Sequence, residues 1–95
     1  MKILAIEQEL PGASAEKFRC YAKEEARKAW KLYQSGFIRE MYFRADRNEA
    51  VLMVECTSGN EALEILSTLP FVQNKLITFE IIPLQAYSGF ERLFA

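Results

Sequence analysis

Histidine is absent from this 95-residue chain. Its absence excludes Ser-His and Cys-His nucleophilic pairs and removes the commonest ligand of a catalytic transition metal. Any acid–base chemistry therefore falls to carboxylates, tyrosine, lysine or cysteine. Cysteine is scarce: Cys20 and Cys56 fall on different expected elements and are too few for a disulfide framework. They are expected to be free, buried core thiols in a reducing cytoplasm, without the histidine neighbour that would activate them.

An excess of charge of one sign is also missing. Twelve basic and thirteen acidic side chains leave a formal net charge of -1, without the basic surplus that a phosphate-tracking surface needs, which argues against nucleic acid as a partner. No apolar run approaches the roughly 18 residues of a membrane span. The first ten residues carry Lys2, Glu7 and Glu9, so neither signal peptide nor membrane attachment is expected. What is present is the balance of a folded domain, with 51% hydrophobic and 26% charged residues. The length suits one domain.

Lys2 to Gln8 is short and rich in Ile and Leu, and the Pro11-Gly12 turn stops it, so it is expected to be a strand. Ser14 can cap a helix in which Ala15, Phe18, Ala22, Ala26, Ala29 and Tyr33 recur at spacings of three and four, with Gly36 as its stop. Phe37 to Arg44 and Ala50 to Cys56 are β-prone runs joined by a polar segment of hairpin length, Ala45 to Glu49. Ser58-Gly-Asn-Glu61 has the form of a capping box ahead of a short helix that Pro70 ends. Leu76 to Pro83 is the fourth strand, and Leu84 to Ala95 is a tail rich in aromatic and aliphatic residues.

The order β-α-β-β-α-β is the ferredoxin-like α+β arrangement: a four-stranded antiparallel sheet with two helices on one face. It makes one domain, with residues 1–84 as core and 85–95 as a C-terminal arm able to reach a neighbouring subunit. Period-two alternation sorts the strands into an apolar set (Leu4, Ile6, Met41, Phe43, Leu52, Val54, Ile77, Phe79, Ile81) and a mixed set. The mixed set holds Ile3, Ala5, Glu7, Ile38, Glu40, Tyr42, Arg44, Val51, Met53, Glu55, Thr78, Glu80 and Ile82. A face with that much Ile, Val and Met should be covered by a second copy, giving a homodimer or larger homo-oligomer with a polar-lined cavity for a small molecule between the sheets.

The stretches LYQSGFIREMYFR, VECTSGNEALEILSTLPF and ITFEIIPL resemble the corresponding blocks of muconolactone isomerases, members of the dimeric α+β barrel superfamily. The matching positions are Gly36, Arg39, Glu55, Ser58, Leu69, Pro70 and Glu80, and the Glu24-Glu25 pair aligns with an acidic pair. Where the family has a histidine and tryptophans in its second strand, this chain has Ile38, Glu40 and Tyr42, so its pocket differs. The resemblance implies an enzyme that works without metal or organic cofactor, as an isomerase or, elsewhere in the superfamily, as a monooxygenase or decyclising enzyme.

Glu25 stands out because helical projection places it between Phe18 and Ala29, inside the apolar stripe. Burial there would raise its pKa and suit it to act as a general base; the alternative is a structural pairing with Arg39, Arg44 or Lys28. Glu40 and Tyr42 are the other candidates for catalysis, as proton shuttle and enolate hydrogen-bond donor. Arg39, Arg44, Glu55 and Glu80 are candidates for holding an oxygenated organic anion, with Arg44 pairing its carboxylate. The competing account makes these groups cross-strand and cross-dimer ion pairs at the barrel rim. Tyr21, Trp30 and Tyr33 read as core packing along the helix repeat, with Trp30 off the stripe's centre. Two functions follow from different classes: a cofactor-independent proton-transfer enzyme on a small oxygenated or carboxylated ring, or a non-catalytic ligand-binding or oligomerising module.

Overall fold

The computed structural model describes all residues from Met1 to Ala95. Strand β1, Lys2–Glu9, ends at the Pro11-Gly12 turn, where Gly12 takes φ +89°, a conformation that side chains with a Cβ rarely adopt. Ser14 then caps α1, Ala15–Gln34, by accepting from the Lys17 N–H at 3.2 Å. Gly36, at φ +87°, turns the chain out of the helix into β2, Ile38–Phe43, which folds back as β3, Ala50–Glu55. Ser58 caps α2, Gly59–Leu66, through the Glu61 N–H at 3.1 Å, and the Thr57 hydroxyl donates to the Glu61 carboxylate. That helix stops at Leu66. Pro70 does not end it but opens a further one-turn helix, α3, Pro70–Gln73, at the first position, where a missing N–H costs nothing. Strand β4, Ile77–Pro83, closes the sheet.

All strand pairs are antiparallel in the order β2-β3-β1-β4, so β1 lies inside the sheet between β3 and β4. This is the ferredoxin-like α+β arrangement. The helices cover one face, above a core that includes Ile3, Ala5, Leu52, Val54, Ile77 and Phe79, with Leu66 and Leu69 from the helical layer. No helix is long and apolar enough to cross a membrane.

Two assignments from alternation are corrected. Ile3 and Ala5 are wholly buried beneath the helices, while Leu4 and Ile6 point to the open face. Strand β1 is apolar at both parities as far as Ile6, so alternation carried no phase, and Glu7 follows Ile3 and Ala5 onto the helix-covered side. Ile38 is buried too, because a register shift between Ile38 and Glu40 inserts a residue and reverses the facing of the strand upstream of it. Glu40 and Tyr42 lie opposite Met53 and Val51 on the open face, with Leu4, Ile6 and Ile82.

The buried side of α1 runs through Phe18, Tyr21, Glu25 and Leu32, while Ala22 and Ala26 are exposed. Cys20, expected in the core, is therefore exposed, and Cys56 is half-buried with its thiol 3.2 Å from the Ser58 carbonyl. Trp30 and Tyr33 are also outside the core: their rings stack at 5.9 Å with 58% and 46% exposure. Beyond Leu84, whose N–H donates to the Lys2 carbonyl, the chain forms a 3-10 helix, Gly89–Phe94, in which Phe90, Leu93 and Phe94 stay exposed. Tyr87 and Phe90 pack edge to face at 5.0 Å, and the molecule measures 57 × 28 × 20 Å.

Because Ile3 is fully enclosed, Ile3→Ala should lower unfolding free energy by about 2–4 kcal/mol, as measured by urea denaturation with an unchanged m-value.

Candidate functional site

At the end of β1 the helical layer no longer closes on the sheet. Ala15 and Ala22, about two turns apart on α1, leave room between Phe18 and Arg19 of the helix and Glu7 and Glu9 of the strand. The hairpin contributes Phe43 and residues 46–49, and Phe71 of α3 closes the apolar side, its ring 5.0 Å from that of Phe18 in an edge-on contact. The resulting cleft encloses about 920 Å³, enough for a small organic molecule.

Glu7 lies at this cleft, half-buried. Burial pushes its carboxyl up to about 7, and the negative charges of Glu25, Glu49 and Glu9 add to the rise, while the Ala50 backbone N–H pulls the other way. The hairpin is tied to the strand by Glu49, which accepts from the Glu9 N–H at 2.8 Å and lies 3.8 Å from both Arg44 and Arg47. Arg44 is held by Asp46 in a bidentate pair at 2.9 and 2.7 Å, and that guanidinium lowers the Asp46 pKa.

The residues singled out from sequence are dispersed. Glu25 pairs with none of Arg39, Arg44 or Lys28; its carboxylate accepts from the Phe71 N–H at 2.9 Å and so satisfies the first turn of α3 from α1. Burial raises the Glu25 pKa and this hydrogen bond opposes the rise. Tyr42 donates to Glu40 at 2.8 Å on the open face, which raises the tyrosine pKa. Glu55 lies 3.5 Å from the Met1 ammonium, and Glu80 is exposed opposite Ile6. Arg39 donates to the Gly36 carbonyl at 2.6 Å. Glu40, Tyr42, Glu55 and Glu80 thus share the open face, Arg44 belongs to the hairpin, and Glu25 bridges two helices. No three His, Cys, Asp or Glu side chains gather in a metal-holding arrangement.

Glu7 was not among the residues expected to do chemistry. Its signal was available only through strand phase: once Ile3 and Ala5 face the helices, the residue two further on must face them as well.

No protein-family model matches the chain. No curated protein matches it either. Among solved structures, the chain is similar to the 5-chloro-2-hydroxyhydroquinone dehydrochlorinase of Burkholderia phenoliruptrix AC1100, in complex with 2,5-dihydroxybenzoquinone. The TM-score is 0.70 at 15% identity, with 92% of this chain and 96% of that one covered. The likeness establishes a shared fold.

A carboxyl that titrates near 7 when folded and near 4.5 when unfolded binds its proton more tightly in the native state, so stability falls as pH rises from about 4.5 to 7. Glu7→Gln removes that loss: it should be more stable than the parent by about 1–3 kcal/mol above pH 7, allowing for partial exposure, and about equal to it below pH 4.5. Thermal or urea unfolding across this pH range reads the difference.

Proposed function

We propose that this protein is a cofactor-independent proton-transfer enzyme acting on a small oxygenated or carboxylated ring compound, with Glu7 as its base. The observation that carries the reading is the Glu7 carboxyl, half-buried at an aromatic-walled cleft and titrating at about 7. A general base works best when its pKa lies near the ambient pH, since it must be ionised yet still hold the proton it takes. The ionised carboxylate removes a proton next to a carbonyl, the charge spreads onto oxygen as an enolate, and the neutral carboxyl returns the proton at another carbon. The net change is an isomerisation, of the type that the resemblance to muconolactone isomerases suggests. Glu25 and Glu49 act on Glu7 through their charge, and Glu25 also holds Phe71 against the cleft.

Two copies pair through their open faces, where Leu4, Ile6, Val51, Met53 and Ile82 form an apolar patch beside the Glu40–Tyr42 pair. That pair, with Arg39, Glu55 and Glu80, would then line the space between sheets, while Arg44 stays at the hairpin. The polar lining favours a second reading, a ligand-binding module whose small molecule sits between the sheets and is released unchanged.

A thermal-shift panel of lactones, hydroxyquinones and aromatic acids, followed by NMR in D2O, tests the chemistry. The expected result is deuterium incorporation and isomerisation of a stabilising compound, a kcat/KM that rises with pH through about 7 and then levels, and a loss of about 100-fold or more in Glu7→Gln. Equal turnover by that variant overturns the role of Glu7, unchanged ligand supports the binding module, and oxygen uptake indicates a monooxygenase. Pairing has its own check: light scattering should give twice the 11.0 kDa chain mass, and Ile6→Lys should halve it.

A further inference from the structure

The cleft contains cations of two kinds. Arg47 lies 3.9 Å from Asp46 and 3.8 Å from Glu49, and Arg44 behind it is engaged by the same two carboxylates. Arg19 has no carboxylate partner, although it lines the same space from α1. The small residues on either side of it along the helix, Ala15 and Ala22, keep the approach to its guanidinium open. Its neighbour Phe18 makes the edge-on pair with Phe71 that walls the cleft. An unpaired planar fork thus stands beside a slot lined by aromatic rings, while Asp46 and Glu49 already have their charges offset.

We infer that Arg19 is the anion-binding, specificity-determining residue of the cleft, and that the ligand is a flat ring bearing an ionised oxygen, such as an enolate, phenolate or carboxylate. This deepens the proton-transfer proposal and rests on its choice of the cleft as the site. The ring lies against Phe18 and Phe71, its anionic oxygen accepts from the Arg19 guanidinium, and Glu7 is left at the strand side of the slot to exchange a proton with the ring. Arginine suits this task because its fork meets a planar oxyanion with two parallel donors, whereas lysine offers a point charge.

The test is binding, read separately from turnover. Two probes share a ring and differ in charge: 2,5-dihydroxybenzoquinone, which is ionised at neutral pH, and 2,5-dimethoxybenzoquinone, which is neutral. Calorimetry at pH 7.5, a value chosen at roughly one half-unit above the Glu7 titration, should show the parent protein preferring the ionised probe by about 10- to 100-fold, the range for a charge-assisted hydrogen bond. Arg19→Gln should erase that preference and leave affinity for the neutral probe unchanged, and Arg19→Lys should restore part of it. Arg47→Gln, whose parent side chain is occupied by Asp46 and Glu49, should keep it. Equal affinities of the parent and Arg19→Gln for the ionised probe, or a preference lost in Arg47→Gln instead, would overturn the assignment. Failure of the parent to bind either probe overturns the ring class. Deuterium exchange in Glu7→Gln judges the proton-transfer proposal independently, because a misplaced base leaves the charge preference intact and a misplaced anion site leaves the Glu7 dependence intact.

Discussion

Two helices can cover one face of a four-stranded sheet, and the layout of this molecule follows from how far that cover reaches. Ile3 and Ala5 are wholly buried beneath the helical layer, whereas towards the end of the strand Ala15 and Ala22 of α1 line a cleft instead of a seal. A carboxylate at full depth would be costly, and one in open water would titrate as an ordinary glutamate. Glu7 stands at the boundary between those regimes, so its titration near 7 is a consequence of where the helical layer stops. The aromatic wall is set by the same limit, because Phe71 is brought to the cleft by α3 and held there from α1 by Glu25.

The elements were legible because each carried a local marker. Ser14 and Ser58 both accept from the N–H three residues on, and Gly36 adopts the left-handed conformation that ends a helix before a strand. The helical stripe was only half legible, since alanines spaced by three and four satisfy the pattern without needing burial, and the true contact line passes through Tyr21 and Leu32. Strand phase was the larger loss. In β4, Thr78 and Glu80 alternate with Ile77, Phe79 and Ile81 and fix the facing, and in β3 only the final Glu55 marks it, whereas β1 is apolar at both parities as far as Ile6 and β2 contains an irregularity invisible to a fixed period. The place of Glu7 at the cleft was not legible for the same reason: it follows from a facing that depends on the whole sheet. Glu25 was rightly expected to be partly buried, but its partner proved to be a backbone N–H on a helix that begins at a proline read as a stop.

The cleft also shows how stability is given up locally. Glu7, Glu9 and Glu49 gather acidic charge near one another, and an amide at position 7 would relieve both repulsion and desolvation. Arg44 and Arg47 offset the part of that charge belonging to the hairpin, and the Glu49 contact to the Glu9 N–H ties the hairpin to the strand whose carboxylate it perturbs. Shape and electrostatics at the cleft therefore depend on the same few side chains.

The irregularity between Ile38 and Glu40 has a wider meaning for the way such a chain can change over time. It divides β2 into two reading frames: the upstream frame anchors Ile38 in the interior, and the downstream frame displays Glu40 and Tyr42 on the opposite side. Substitutions in the downstream frame can alter the chemistry of the open surface without disturbing the anchor. Loss of the single extra residue would instead invert one half of the strand, exchanging interior for exterior in one step. The bulge thus acts as a genetic boundary within a strand of six residues, separating positions free to diversify from one that is not.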